Sequence, residues 1–73
     1  MQQVRIDATG QTCPVPVLKA QKALRGMPPG AFLEILADDP AAGPDLKVFC
    51  SQTGHVFLGE NADKTGFVIR RKA

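Results

Sequence analysis

Three side chains of this 73-residue sequence have thiol or imidazole chemistry to offer: Cys13, Cys50 and His55. Cys13 is followed by Pro14-Val15-Pro16. If Pro14 is the first helical residue, Cys13 is the N-cap. A sulfur there meets the positive end of the helix dipole and unpaired N–H groups, which favour thiolate over thiol. Pro16 has no N–H, so Val15 and Val17 are left to donate. The prolines also stiffen the approach and hold the sulfur off the core. The alternative for Cys13 is a small residue tolerated at a cap, where Ser, Thr or Asp is commoner.

Cys50 reads differently. It shares a helical face with Leu46 and Phe49 at spacings of three and four, which makes it a core residue. His55 opens a strand and reads as a strand-end residue rather than a base for Cys13. Without a base, an orienting acid or an oxyanion site, hydrolytic cysteine chemistry is disfavoured. Thiol or persulfide exchange needs only an exposed, reactive sulfur, because attacking and leaving groups are both sulfurs. Two Cys and one His cannot complete a tetrahedral zinc site from one chain. Nor are two cysteines, with no Cys-x-x-Cys spacing, a disulfide scaffold or a redox motif.

The elements that must position Cys13 follow from periodicity. Residues 3–8 alternate Val4, Ile6 and Ala8 against polar neighbours and read as a strand. Thr9 to Thr12 form a turn. Pro14 to about Met27 reads as a helix, because prolines in the first turn sacrifice no ladder bond; Pro28-Pro29-Gly30 ends it. Residues 31–37 form a second strand, with Leu33 and Ile35 on one face and Phe32, Glu34 and Leu36 on the other. A second helix spans about Pro44 to Gln52, stopped by Thr53-Gly54. Residues 55–60 and 66–72 are two strands joined as a hairpin. The order βαβαββ, with a right-handed first crossover, predicts a two-layer α/β (α+β) sandwich. Its mixed four-stranded sheet carries both helices on one face, within a single domain over 1–73.

On the first helix, Val17, Ala20, Ala23, Leu24 and Met27 form the inward arc. Val15 and Leu18 fall among Lys19, Lys22 and Arg25. An apolar pair ringed by cations beside Cys13 suits an acidic partner; an ordinary solvated face has the same pattern. Nine Lys and Arg against seven Asp and Glu leave only +2, too weak to imply nucleic acid or an anionic membrane. Trp and Tyr are absent, so bases would have only four Phe to stack on. The tail Arg70-Arg71-Lys72 reads as a solubilising end, with a nucleic-acid contact as the alternative. At 44% hydrophobic the chain is globular in composition, and no apolar run approaches a membrane span. The opening residues carry no signal-peptide pattern, so a cytoplasmic location is expected.

The stretch Asp7-Ala-Thr-Gly10-Gln-Thr-Cys13-Pro14-Val-Pro16, with Leu18 after it, resembles the signature of the TusA/SirA family of sulfur-carrier proteins. The likeness continues through Met27-Pro28-Pro29-Gly30, Ala37-Asp38-Asp39-Pro40, Phe49-Cys50, Gly54-His55 and Ile69-Arg70-Arg71-Lys72. It implies a βαβαββ fold and a sulfur relay in which Cys13 accepts sulfane sulfur as a persulfide. Asp7, Gly10, Pro14 and Pro16 would support that cysteine. The implied donor is a PLP-dependent cysteine desulfurase or a rhodanese-like sulfurtransferase, and the receiver a downstream sulfur-acceptor protein. Pathways of this kind include tRNA thiolation, molybdenum-cofactor assembly and sulfur oxidation. The carrier itself would hold no cofactor and would act as a monomer, without direct contact to nucleic acid or membrane. Partners would dock around Val15, Leu18, Lys19 and Lys22. Val15 stands where tRNA-thiolation members often carry an acidic residue, which leaves the pathway open. A regulatory or nucleic-acid-binding module without covalent chemistry and a thiol-redox protein are the other function classes the residues allow.

Overall fold

A computed structural model describes residues 3–12 and 14–72. Four strands and two helices alternate as β1 (Gln3–Asp7), α1 (Val15–Arg25), β2 (Phe32–Leu36), α2 (Ala42–Thr53), β3 (Val56–Glu60) and β4 (Gly66–Arg70). The sheet order is β1-β2-β4-β3. β1 and β2 are parallel, while β4 is antiparallel to both β2 and β3. The helices touch each other, α1 lying on β1 and β2 and α2 on β3 and β4. This is the mixed sheet with one helical layer that the periodicity predicts.

The core forms where the two periods meet. Leu33, Ile35 and Ile69 project from the middle strands, and Ala20, Leu24, Leu46, Phe49 and Cys50 project from the helices. Residues at spacing two on a strand and at three or four on a helix share a face, so each element buries one side. Val4, Ile6, Phe57 and Phe67 close the margins. Pro16 is fully buried as well. The sequence reading treats it only as a stiffener; its ring is a core side chain that seats the start of α1.

Both helices begin away from the expected residues. α1 starts at Val15, with Pro14 rather than Cys13 as N-cap. The cause is local: Thr12 O accepts the Val15 N–H at 2.9 Å, and the first helical bond runs from Leu18 N to Pro14 O. α1 ends two residues short of Met27. There Gly26 N–H bonds to Ala23 O and Met27 N–H to Leu24 O, the tighter i to i−3 pattern of a closing turn. α2 starts two residues before Pro44, because Asp39 organises the approach: its carboxylate accepts the Ala41 N–H and its carbonyl the Ala42 N–H, both at 2.9 Å. Pro44 still lies in the first turn and costs no ladder bond. Gly54 closes α2 at φ 89°, and its N–H bonds to Cys50 O at 2.8 Å. A side chain would strain that left-handed cap.

The β3–β4 hairpin is held by Asn61. Its side-chain oxygen accepts the Thr65 and Gly66 N–H groups, and its amide donates to Glu34 of β2 at 2.8 Å. Asn61 is buried, so these partners are what make a polar group tolerable there. Gly66 is required by packing: a Cβ on it would lie 2.2 Å from Ile35 O.

Candidate functional site

The chain crosses one end of the sheet between β1 and α1. That end also gathers the exit of β2, the start of α2 and the β3–β4 turn. Cys13, the expected thiolate, lies outside the described residues; its chain neighbours Thr12 and Pro14 are both exposed. The other residues of the expected motif are described, and their arrangement is specific.

Asp7 closes β1 with an Asx turn. Its Oδ1 accepts the Thr9 N–H at 2.8 Å and also the Thr9 hydroxyl. The Thr9 hydroxyl and then the Thr9 amide hold the Asp7 carboxyl below its ordinary value of 3.8, with Lys19 and Arg5 adding to the effect. Gly10 follows at φ 77° and donates its N–H to Asp38 Oδ1 at 2.9 Å. Gln11 N–H then returns to Ala8 O. Thr12 O takes the Val15 N–H. The loop leading into Cys-Pro-Val-Pro is thus pinned at residues 7, 10 and 12 by separate bonds. This revises the expectation that Val15 donates to a sulfur, since its N–H is already engaged. Pro14 and Pro16 have no N–H, so Val17 is the other first-turn residue that carries one.

The expected docking residues occupy different settings. Leu18 is 55% exposed and Lys22 is exposed, whereas Val15 is half-buried. Lys19 is half-buried and its Nζ donates to Asp7 O at 3.3 Å. It therefore ties α1 to the end of β1 rather than standing free. On the other flank of Pro14 is a groove of about 300 Å³ between the helices, lined by Pro14, Val17, Asp45, Val48, Phe49 and Gln52. Val48 is 55% exposed. Sequence reasoning missed this groove because Val48 sits off the Leu46, Phe49, Cys50 stripe and reads as surface. The same end of the fold carries Asp7, Asp38, Asp39, Asp45, Glu60 and Asp63, six of the seven acidic residues.

Cys50 and His55 take no part in this end. Cys50 is 2% exposed, and burial pushes its thiol up to about 11. His55 stands at the opposite end of the sheet from Thr12 and Pro14, where its Nδ1 accepts the Lys72 N–H at 3.1 Å. Burial, and then Lys72 and Arg71, lower its pKa from the usual 6.5. Among the described residues no His, Cys, Asp and Glu cluster could hold a metal. No helix there is long and apolar enough to cross a membrane.

Residues 4–71 match the family described as Sulfurtransferase TusA. The chain belongs to the TusA family. A relative in Neisseria meningitidis serogroup A is 48% identical over 64 residues, covering 88% of this chain and 86% of its own. The sulfur carrier protein TusA of Pseudomonas syringae pv. tomato is 37% identical over 70 residues, 93% of this chain and 83% of that protein. The crystal structure of a SirA-like protein from Desulfitobacterium hafniense superposes with a TM-score of 0.75 at 27% identity, covering 96% of this chain and 99% of that one. The βαβαββ sandwich of this TusA-family chain is therefore shared with a solved relative as well as legible in its own periodicity.

Proposed function

We propose that Cys13 is the sulfur-bearing residue of a relay. The chain is a sulfur carrier of the TusA family, and as such works between a sulfur donor and a sulfur acceptor. In the proposed step the Cys13 thiolate attacks the outer sulfur of a donor persulfide. One S–S bond forms on Cys13, the donor's S–S bond breaks, and the donor cysteine leaves as a thiolate. Transfer to the acceptor repeats the exchange in the other direction, so no net oxidant or reductant is consumed. The donor is a PLP-dependent cysteine desulfurase or a rhodanese-like protein, and any PLP stays with it. The receiver is a downstream sulfur-acceptor protein, in tRNA thiolation, molybdenum-cofactor assembly or sulfur oxidation.

The observation that carries this reading is the family match spanning the Cys13-Pro14-Val15-Pro16 box. The pinned loop supports it. A relay needs a sulfur presented in one geometry to several proteins, and three separate backbone anchors restrict the approach to residue 13 without using a cofactor. The contact surface is the corner around Cys13, with Leu18 and Lys22 on one flank and the Pro14–Val48 groove on the other. That surface joins exposed apolar groups to cations on one side and carboxylates on the other, so its partner needs mixed charge rather than a purely acidic face.

The test is a two-step relay. The chain is loaded with labelled sulfur by a desulfurase, separated from it, and mixed with a sulfur-accepting protein. The label is expected to leave the chain for the acceptor, and Cys13→Ser to carry none. Retention of the label through mixing with competent acceptors would contradict a carrier role for Cys13.

A further inference from the structure

The end of the fold remote from Thr12 and Pro14 holds a cleft of about 250 Å³ between the C-terminal ends of the two helices and the tail after β4. Arg25, His55, Arg71 and Lys72 line it, over a floor that includes Leu24 and Phe49. No carboxylate side chain is among the lining residues. From this donor set we infer that the cleft is a binding site for a phosphate dianion, either free or as the terminal phosphate of a phosphomonoester.

The tail assembles the cleft. Arg71 donates from Nε to Leu24 O at 2.9 Å and from Nη1 to Lys72 O at 3.1 Å. Lys72 donates from Nζ to Thr53 O at 2.9 Å. One carbonyl at each helix C-terminus, Leu24 O and Thr53 O, is thus covered by a cation, which offsets part of the repulsion an anion would meet there. Donors remain after this capping. Arg71 keeps its Nη2, and the Lys72 ammonium keeps two of its three protons. Because His55 Nδ1 accepts the Lys72 N–H, the neutral ring carries its proton on Nε2 and is a donor there. The Arg25 guanidinium is exposed and has no partner among the described residues. Three permanent cations and one imidazole N–H donor, with no carboxylate side chain among the described lining residues, more than offset the charge of a tetrahedral dianion and supply donors to its oxygens. The crowding of His55 by Lys72 and Arg71 is consistent with this, since an anion in the cleft would offset both.

A polyanion fits less well. The third basic residue of the tail, Arg70, points to the other side of the sheet, its guanidinium 5.9 Å from the centre of the Phe32 ring. The basic surface therefore does not continue as a track for a nucleic-acid backbone.

His55 is the only histidine, so its ring resonances report on one site. The full chain is titrated with inorganic phosphate, and separately with AMP, at constant ionic strength against sodium chloride. Saturable movement of the His55 ring signals is expected with phosphate, AMP or both, and their relative affinities identify the source. In the liganded state the imidazole is expected to titrate at higher pH. Arg25→Gln, which removes a side chain with no structural bond, should weaken binding about tenfold or more. Lys47→Gln, on the exposed outer face of α2, should leave it unchanged. Shifts no larger than those from chloride, or unchanged affinity in Arg25→Gln, would overturn the site. So would a 5′-hydroxyl RNA oligomer binding more tightly per phosphate than AMP, which would make the ligand a phosphodiester.

Discussion

Asp38 holds Gly10: its Oδ1 accepts the Gly10 N–H at 2.9 Å, across a separation of 28 residues. One bond thereby couples the loop before Cys13 to the loop after β2. The Ala37-Asp38-Asp39-Pro40 segment acts on both neighbours, because Asp39 meanwhile organises the start of α2. Removing the Asp38 carboxylate should free the approach to Cys13 while the sheet stays intact. Asp38→Ala is expected to cost about 1 kcal/mol. In a domain this small that is a melting shift of roughly 4–8 °C. Amide exchange should accelerate at Gly10 and not at Ile35. Equal acceleration at both would mean that the bond supports the whole fold rather than the loop.

Docking supplies a second prediction. Leu18 is exposed on α1, three residues from the half-buried Val15 and four from Pro14. Leu18→Glu should weaken association with a cognate donor at least about tenfold, within the range of an interface anchor. Its melting temperature should stay within a degree or two of wild type, since the side chain is not packed. Surface plasmon resonance and a thermal melt decide the point. Unchanged affinity would move the contact to the Pro14–Val48 groove, where Val48→Glu is the matching variant.

The thiols should separate cleanly by pH. Burial raises the Cys50 thiol to about 11, from an ordinary value of 9.0. At pH 8 it should resist alkylation for as long as the chain is folded, because its thiolate is scarce and its sulfur covered. Linkage gives the sign for stability. The unfolded thiol ionises near 9 and the folded one near 11, so Cys50 contributes stability that is full below about pH 9 and is lost as pH rises towards 11. Cys50→Ala should flatten that alkaline decline. Denaturant melts between pH 8 and 10.5 would show it, and an undiminished decline in Cys50→Ala would assign the loss to other groups.

Much of this was legible in the sequence. Alternation at Val4, Ile6, Leu33 and Ile35 places the sheet, and the Leu46, Phe49, Cys50 stripe places α2 and buries its thiol. These are local periodic signals. The misread features depend on bonds that periodicity does not encode. Pro14 displaces Cys13 as cap because Thr12 O reaches back to Val15 N. Pro16 looks like punctuation but packs as core. Lys19 looks like a free cation but reaches the carbonyl that ends β1. Asp38 and Gly10 lie too far apart in the chain for spacing to relate them. The basic tail reads as a solubilising end, yet Arg71 and Lys72 cap both helices, a role set by where β4 delivers them.

The central claim is that Cys13 carries the sulfur and Cys50 does not. Its most direct test is peptide mass mapping after incubation with a desulfurase, PLP and isotopically labelled cysteine. One added labelled sulfur is expected on the peptide containing Cys13, released by dithiothreitol, lost in Cys13→Ser and retained in Cys50→Ser. Labelled sulfur on the Cys50 peptide, or none on either peptide with desulfurase and rhodanese donors alike, would contradict it.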